Sequence, residues 1–160
     1  MNKLLIALLL ASQSFYAMAD GQSDCDAAAG TYLTGTVVSG PTFARGVQSR
    51  QGIKLSHTHV QLQADQDGQT YDVAMDNVYA YDFVPNRSSM PASLRQIQVG
   101  DQLELCGQPY SRGIGIHWVH SNCGVTPDSA HPDGWVKEIA GDGSVGDNLE
   151  GSQSYCYLFN

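Results

Sequence analysis

The chain has few basic residues and no long hydrophobic segment. Lys and Arg together number 8 against 16 Asp and Glu, which gives a formal charge of −8 at pH 7. Phosphate backbones repel so acidic a surface, so bulk binding of nucleic acid is not expected. The apolar run Leu4 to Ala11 is eight residues long, too short to cross a bilayer core of ~30 Å as a helix.

The sequence also lacks the motifs that identify several enzyme classes. It contains no G-x-S-x-G elbow, no G-x-x-x-x-G-K-[ST] phosphate loop, no H-E-x-x-H and no dinucleotide fingerprint after a strand. None of the 4 cysteines belongs to a C-x-x-C pair, which argues against a zinc-binding cysteine cluster. These absences leave the histidines as the main candidates for chemistry.

The first 19 residues read as a cleavable export signal. Lys3 provides a positive start, Leu4 to Ala11 an apolar run, and Ala17-Met18-Ala19 a small-x-small cleavage pattern. Cleavage after Ala19 leaves a mature chain of about 141 residues without a transmembrane segment. Loss of Lys3 leaves seven basic against sixteen acidic residues and a charge of −9. We expect a periplasmic or secreted protein.

Four cysteines in an exported chain are expected to form two disulfides. Three connectivities are open. We favour Cys25 with Cys123 and Cys106 with Cys156, because these pairs would tie each terminus to the body of the domain.

Alternating hydrophobicity predicts five short strands. They are Thr31 to Ser39, Leu55 to Ala64, Tyr71 to Tyr81, Gln102 to Gln108 and Ile114 to His120. In the second strand the alternation places Thr58, Val60 and Leu62 on one face and His57 on the other, and in the fourth it turns Leu103 and Leu105 inward. A short helix is expected between Pro85 and Gly100, capped by Ser88 or Ser89, and Gly40 to Lys54 is expected to be a polar loop. This order predicts an all-β fold with one short helix, a five-stranded OB-like barrel. Residues 20–160 would form one domain with a disulfide-tied C-terminal tail from about residue 138.

The stretch Ile116 to Trp135 holds three of the five histidines and both tryptophans. The side chains that are candidates to bind a metal, zinc above all, are His57, His59, His117, His120, His131 and Asp133. His120 with His131, assisted by Asp128 or Asp133, is the easiest set to bring together, because the loop between them is flexible. The alternative is that the histidines and tryptophans are structural and fasten the segment Gly134 to Lys137 onto the barrel as a short strand.

A second group of side chains is suited to binding a small ligand. Arg45, Arg50 and Lys54 lie between the first two strands and Arg112 lies between the last two, where an OB-like barrel binds ligands. They predict a local cationic patch for a small anionic group. Tyr79 and Tyr81 alternate and predict a stacking platform. Trp118 and Trp135 complete the candidate set.

Several segments resemble an uncharacterised family of small exported bacterial proteins. They are H-T-H-V-Q-L from His57, V-G-D-Q-L-E-L-C-G from Val99, I-H-W-V-H from Ile116 and H-P-D-G-W from His131. The resemblance extends from Gly35 to Lys137 and implies an OB-like barrel and an exported location. The matching positions are His57, His117, Trp118, His120, His131, Gly134 and Trp135. The four cysteines, the loop Thr126 to Ala130 and the tail after Lys137 depart from the family pattern.

The sequence therefore favours an exported module that binds a small ligand, anionic or metal-assisted, or an extracellular partner, over a catalyst. The first alternative is a small metal-dependent hydrolase that uses His120, His131 and an Asp. The second is an envelope or host-interaction protein whose histidines are structural.

Overall fold

A computed structural model describes residues 20–159, so the predicted export signal lies outside the described residues. Residues 20–27 are helical and are named α1, a helix that the sequence pattern does not predict. The strands are β1 (Thr31–Arg50), β2 (Ile53–Ala64), β3 (Thr70–Asp76), β4 (Gln102–Pro109), β5 (Gly115–His117) and β6 (Trp135–Ile139). Helix α2 spans Ala92–Arg95, and 3-10 helices span Asn77–Tyr79 and Cys156–Leu158. No helix in residues 20–159 is long and apolar enough to cross a membrane.

The six strands of the described region form one mixed sheet, ordered β1-β2-β3-β5-β4-β6. Because β1 also pairs with β4, the first five strands make a partial ring. Strands β3 and β5 are parallel, and the other pairs are antiparallel. The predicted β-rich fold is confirmed, and β6 is the predicted short strand after Gly134, here paired with β4.

Strand β1 is longer than the sequence pattern predicts. Its first part, Thr31 to Thr36, pairs with β4, and Gly35 to Arg50 pairs with β2. The predicted loop Gly40 to Lys54 is therefore wrong, since most of it is a two-stranded ribbon. The register shifts near Gly40 and the exposed polar faces of the ribbon remove the alternation typical of a half-buried strand.

The core of the ring follows the predicted strand faces. Thr58, Val60 and Leu62 of β2 are buried, as are Leu103 and Leu105 of β4. Leu94 and Ile97, at and after α2, are buried in the same core. Helix α2 is capped by the carboxylate of Asp82, which accepts hydrogen bonds from the amides of Ala92 and Ser93, and not by Ser88 or Ser89 as predicted.

Two predicted strands end earlier than expected. Strand β3 ends at Asp76, and a 3-10 helix replaces its predicted continuation to Tyr81. Strand β5 ends at His117, because Trp118 takes a left-handed conformation with φ of 56°. Beyond this point the side chains no longer alternate, since the consecutive residues Val119 and His120 are both buried.

The disulfides join Cys25 to Cys106 and Cys123 to Cys156, so the predicted connectivity is wrong. Cys106 on β4 packs with Cys25, Tyr32 and Trp135, which brings the end of α1 onto the sheet. The second bridge ties the C-terminal 3-10 helix to the loop after β5. Sequence spacing could not reveal either proximity, because both depend on how the loops return to the sheet.

Candidate functional site: the histidine cleft

The hairpin of β2 and β3 places His57 directly opposite Asp76 in the sheet register. The next residue, Asn77, is fully buried and holds this end of the hairpin together. Its Oδ1 accepts a hydrogen bond of 2.6 Å from Thr58 Oγ1, and its Nδ2 donates one of 3.0 Å to Ser56 Oγ. A satisfied buried network of this kind makes the last residue of β3 rigid.

The carboxylate of Asp76 bridges two imidazoles. His57 Nε2 lies 2.5 Å from Oδ1, and His120 Nε2 lies 3.2 Å from Oδ2. The His57 side chain is 37% exposed, whereas that of His120 is only 2% exposed. Burial alone would raise the pKa of Asp76, but the hydrogen bonds from His120 and His57 outweigh burial and hold that pKa well below its usual range. The hydrogen bond to Asp76 in turn raises the pKa of His57.

Both ring nitrogens of His120 face oxygen atoms. Its Nδ1 lies 2.8 Å from the backbone oxygen of Ser121, and its Nε2 lies 3.2 Å from Asp76 Oδ2. The ring also stacks on that of Tyr79, with 3.8 Å between ring centroids. Two polar partners and one stacked ring therefore fix the orientation of the His120 side chain.

Glu150 lies fully buried beside this cluster. Its Oε2 accepts a hydrogen bond of 2.8 Å from the backbone amide of Asp76, and its Oε1 has no hydrogen-bond partner among the described residues. Burial, together with the negative charge of Asp76, raises the pKa of Glu150 well above its usual range. The shift favours the neutral carboxylic acid, which adds no second negative charge next to Asp76.

His57, Asp76 and His120 line a cleft with two adjacent halves, which we name the histidine cleft. The inner half, of about 290 Å³, contains His57, Asp76 and His120, and the outer half, of about 320 Å³, contains Asn122, Val125 and His131. Both halves share Arg50, Tyr79, Trp118 and Phe159. Trp118 lies between two histidines, with 5.0 Å separating its ring centroid from that of His120 and 5.0 Å from that of His131.

The backbone is strained where the chain forms the wall of the cleft. Trp118 and Cys123 have φ values of 56° and 62°, in the left-handed region that residues other than glycine rarely adopt. Strain of this kind concentrates at functional sites, because the surrounding structure must hold it in place. Here the disulfide from Cys123 to Cys156 holds one of the two positions.

No protein family, curated protein or solved structure matches this chain. The function must therefore be argued from the residues of the cleft.

Two of the predicted metal-binding histidines lie outside the histidine cleft. His59 Nδ1 lies 3.0 Å from Asp72 Oδ2, and Asp72 also accepts hydrogen bonds from Gln61 and Tyr110. The ring of His117 packs edge-on against Tyr110, and burial lowers the pKa of His117. The β2–β3 hairpin thus carries two His–Asp pairs, one inside the cleft and one outside it.

The other predicted metal ligands are also separated. His131 Nδ1 lies 3.3 Å from Asp128 at the rim of the outer half, whereas Asp133 accepts a hydrogen bond from the amide of Asn122. Across residues 20–159, no group of three or more His, Cys, Asp or Glu side chains is arranged to hold a metal ion.

Only some of the predicted ligand-binding residues line the cleft. Arg50, Tyr79 and Trp118 line the cleft. The residues that do not line it are Arg45, Lys54, Arg112, Tyr81 and Trp135. Tyr79 is buried while Tyr81 is 72% exposed, so they do not share a platform. Trp135 packs with the disulfide of α1 instead.

Three residues of the cleft region were not identified from the sequence. Asp76 could have been found, because counting outward from the turn between Ala64 and Gln69 pairs it with His57. Glu150 and Phe159 gave no comparable signal, since both lie in the irregular C-terminal segment and reach the cleft region only through tertiary packing.

Proposed function

We propose that the protein binds a small ligand with a planar ring and an anionic group in the histidine cleft, and that the partial ring supporting the cleft is an OB-like barrel. The observation that carries this proposal is the position of Arg50 where the two halves of the cleft meet, between aromatic walls.

Arg50 supplies the attraction for an anion. Among the described residues that line the cleft, it is the only Lys or Arg, and both oxygens of the Asp76 carboxylate are paired with histidine nitrogens. Its Nη1 donates a hydrogen bond of 3.2 Å to the Leu158 carbonyl, and Cζ lies 4.9 Å from the centroid of the Phe159 ring. A guanidinium has five N–H donors, so others remain for a ligand. The cleft therefore favours an anionic group in a protein whose net charge is negative.

The aromatic rings favour a flat, apolar partner. Tyr79 and Phe159 stack with 5.5 Å between centroids, and Trp118 forms part of both halves. Apolar walls with a few polar groups are typical of small-molecule sites. The cleft also has an apolar rim, because Val47 and Val125 are exposed where they line it.

The OB-like barrel is supported by the strand order and by where the cleft lies. The partial ring of five strands and the helix between β3 and β4 agree with the order of elements that the sequence pattern predicts. Ligands of such barrels contact the second and third strands and the loop before the second. Here Leu55 and His57 of β2, Asp76 of β3 and Arg50 at the end of β1 line the cleft.

The proposal can be tested with two fluorescent probes that differ in charge. 1-Anilinonaphthalene-8-sulfonate has planar rings and an anionic group, whereas N-phenyl-1-naphthylamine has similar rings and no charge. We expect the folded protein to bind the sulfonate in a single site and to bind it about tenfold more weakly after Arg50→Gln, a loss of about 1.4 kcal/mol. The affinity for the neutral probe should change little.

Arg45→Gln is the matched control. Arg45 lies on the same strand, and its guanidinium donates a hydrogen bond to Ser88 Oγ outside the cleft. Equal losses of sulfonate binding in the two variants, or no binding by the folded wild-type protein, would contradict the proposal. Near-ultraviolet circular dichroism of each variant establishes that it is folded.

A further inference from the structure

We propose that the histidine cleft also hydrolyses small phosphodiesters that carry planar groups, with His57 as the general base and water as the nucleophile. This inference rests on the proposed function, because the anionic phosphodiester would occupy the site at Arg50.

His57 has the arrangement required of a base. Its Nε2–H donates to Asp76, so the ring lone pair is on Nδ1. Its side chain is 37% exposed and lines the inner half of the cleft. A base must reach both water and substrate, and a group with this exposure at the wall of a cleft can do so.

Asp76 and His120 act as positioning residues. The carboxylate of Asp76 fixes the tautomer and the orientation of His57, as the carboxylate does in hydrolytic triads. His120 holds the second oxygen of that carboxylate from the buried side, so Asp76 cannot rotate without breaking a charge-assisted hydrogen bond. Two partners thus fix the group that orients the base.

The second His–Asp pair on the same hairpin lacks these features. His59 Nδ1 faces both oxygens of Asp72, at 3.1 Å and 3.0 Å, and two further donors, Gln61 and Tyr110, saturate the same carboxylate. The pair lies outside the histidine cleft. Residues His57 and His59 are therefore matched in strand, partner type and partial burial, and differ in access to a ligand site.

The reaction balances with water as the only co-reactant. His57 Nδ1 takes a proton from water as the water oxygen forms a bond to phosphorus. The bond from phosphorus to the ester oxygen opposite the water breaks, the departing oxygen takes a proton from solvent, and the His57 imidazolium releases its proton to solvent. Arg50 binds the nonbridging oxygens, whose negative charge the guanidinium stabilises. The products are an alcohol and a phosphomonoester, and His57 returns to its starting state.

The experiment follows release of 4-nitrophenolate from bis(4-nitrophenyl) phosphate by the purified, disulfide-bonded protein. We expect His57→Gln to lower kcat/KM by at least about 100-fold, the usual contribution of a general base. Because the variant keeps the cleft, its affinity for bis(4-nitrophenyl) phosphate should stay close to that of the wild type. His59→Gln should leave kcat/KM within about twofold of wild type, and turnover should survive a metal chelator.

Asp76→Asn gives a readout that a purely structural role would not produce. The charged or titratable groups around His57 are Asp76 of β3, His59 on its own strand, Arg50 of β1, His117 of β5 and His120 after it. Since the hydrogen bond to Asp76 raises the pKa of His57, its removal lowers that pKa. The rise of kcat/KM with pH, which follows deprotonation of the base, should therefore move to lower pH as the maximum falls.

The possible results separate this inference from the proposed function. If wild-type protein binds bis(4-nitrophenyl) phosphate without turnover, the proposed hydrolysis is overturned and the proposed binding function remains. If it binds neither bis(4-nitrophenyl) phosphate nor 1-anilinonaphthalene-8-sulfonate, the hydrolysis and the binding function are both overturned. Equal loss of turnover in His57→Gln and His59→Gln, loss of turnover with chelator, or an unshifted pH profile in Asp76→Asn also overturns the mechanism.

Discussion

At the scale of single residues, burial favours the protonated, neutral form of Glu150 at pH values where the same carboxyl group would be ionised in water. Glu150 is fully buried, and among residues 20–159 it has one hydrogen-bond partner, the amide of Asp76, which donates to its Oε2. In the unfolded chain the carboxyl ionises near its ordinary pKa of 4.5, while in the fold it keeps its proton to a much higher pH. Between these two pKa values the unfolded state binds fewer protons than the folded state, so the free energy of unfolding falls as pH rises from the unfolded pKa to the folded pKa.

Glu150→Gln should remove this dependence. The neutral amide has nearly the same shape and can still accept the hydrogen bond from the Asp76 amide. We expect the variant to be more stable than wild type at pH 8 by roughly 1–3 kcal/mol and to show little difference at pH 4, as measured by urea unfolding. Glu138→Gln, on partly exposed β6, removes the same charge and should change stability little at either pH. A less stable Glu150→Gln at pH 8 would mean that Glu150 is ionised in the fold.

The sequence predicted single residues well where a regular strand fixes their direction. The alternation in β2 correctly buried Thr58, Val60 and Leu62 and placed His57 on the opposite face. The predicted fifth strand does not continue to His120, because the left-handed conformation of Trp118 ends β5 at His117. Backbone strain of this kind is imposed by tertiary contacts and leaves no periodic signal.

At the scale of elements, the two disulfides hold different segments of the chain in place. The bridge between Cys123 and Cys156 holds the C-terminal 3-10 helix, and with it Phe159, against the outer half of the cleft. The bridge between Cys25 and Cys106 holds α1 against β4, away from the cleft. Their sequence separations are 33 and 81, so loop-closure entropy predicts losses of about 3.7 and about 4.5 kcal/mol when they are removed.

Paired substitutions separate stability from binding. Cys123→Ala with Cys156→Ala should lose affinity for 1-anilinonaphthalene-8-sulfonate by more than about tenfold, because the wall formed by Phe159 is released. Cys25→Ala with Cys106→Ala should lose at least as much stability and keep its affinity at temperatures where it is folded. Fluorescence titration beside thermal unfolding provides both values. Retained affinity in the first pair would show that the C-terminal segment is not part of the site.

At the scale of the whole molecule, the acidic surface of the protein contrasts with the guanidinium in its cleft. The chain has 8 basic and 16 acidic residues, while the cleft contains Arg50, and both oxygens of its Asp76 are paired with histidines. The two disulfides indicate that the protein works in an oxidising compartment. Self-repulsion of the acidic surface should weaken with salt, because the Debye length falls.

Salt should therefore act in opposite directions on stability and on binding. From low salt to about 0.15 M salt we expect the melting temperature to rise, because repulsion is screened, and the affinity for the anionic sulfonate probe to fall. Binding of the neutral naphthylamine should be nearly unaffected by the same change. Differential scanning calorimetry and fluorescence titration in matched buffers measure the two effects. An affinity for the sulfonate that does not depend on salt would argue against Arg50 as its partner.

Because Trp118 packs against two histidines, its fluorescence should be sensitive to changes inside the cleft. The chain has only 2 tryptophans, and Trp135 is packed elsewhere, beneath Lys137. A protonated imidazole in contact with an indole quenches its emission, so the fluorescence of Trp118 reports the charge of its neighbours, and a Trp118→Phe variant isolates the background from Trp135. The protein thus contains its own optical sensor, and occupancy of the cleft can be followed without attaching a label.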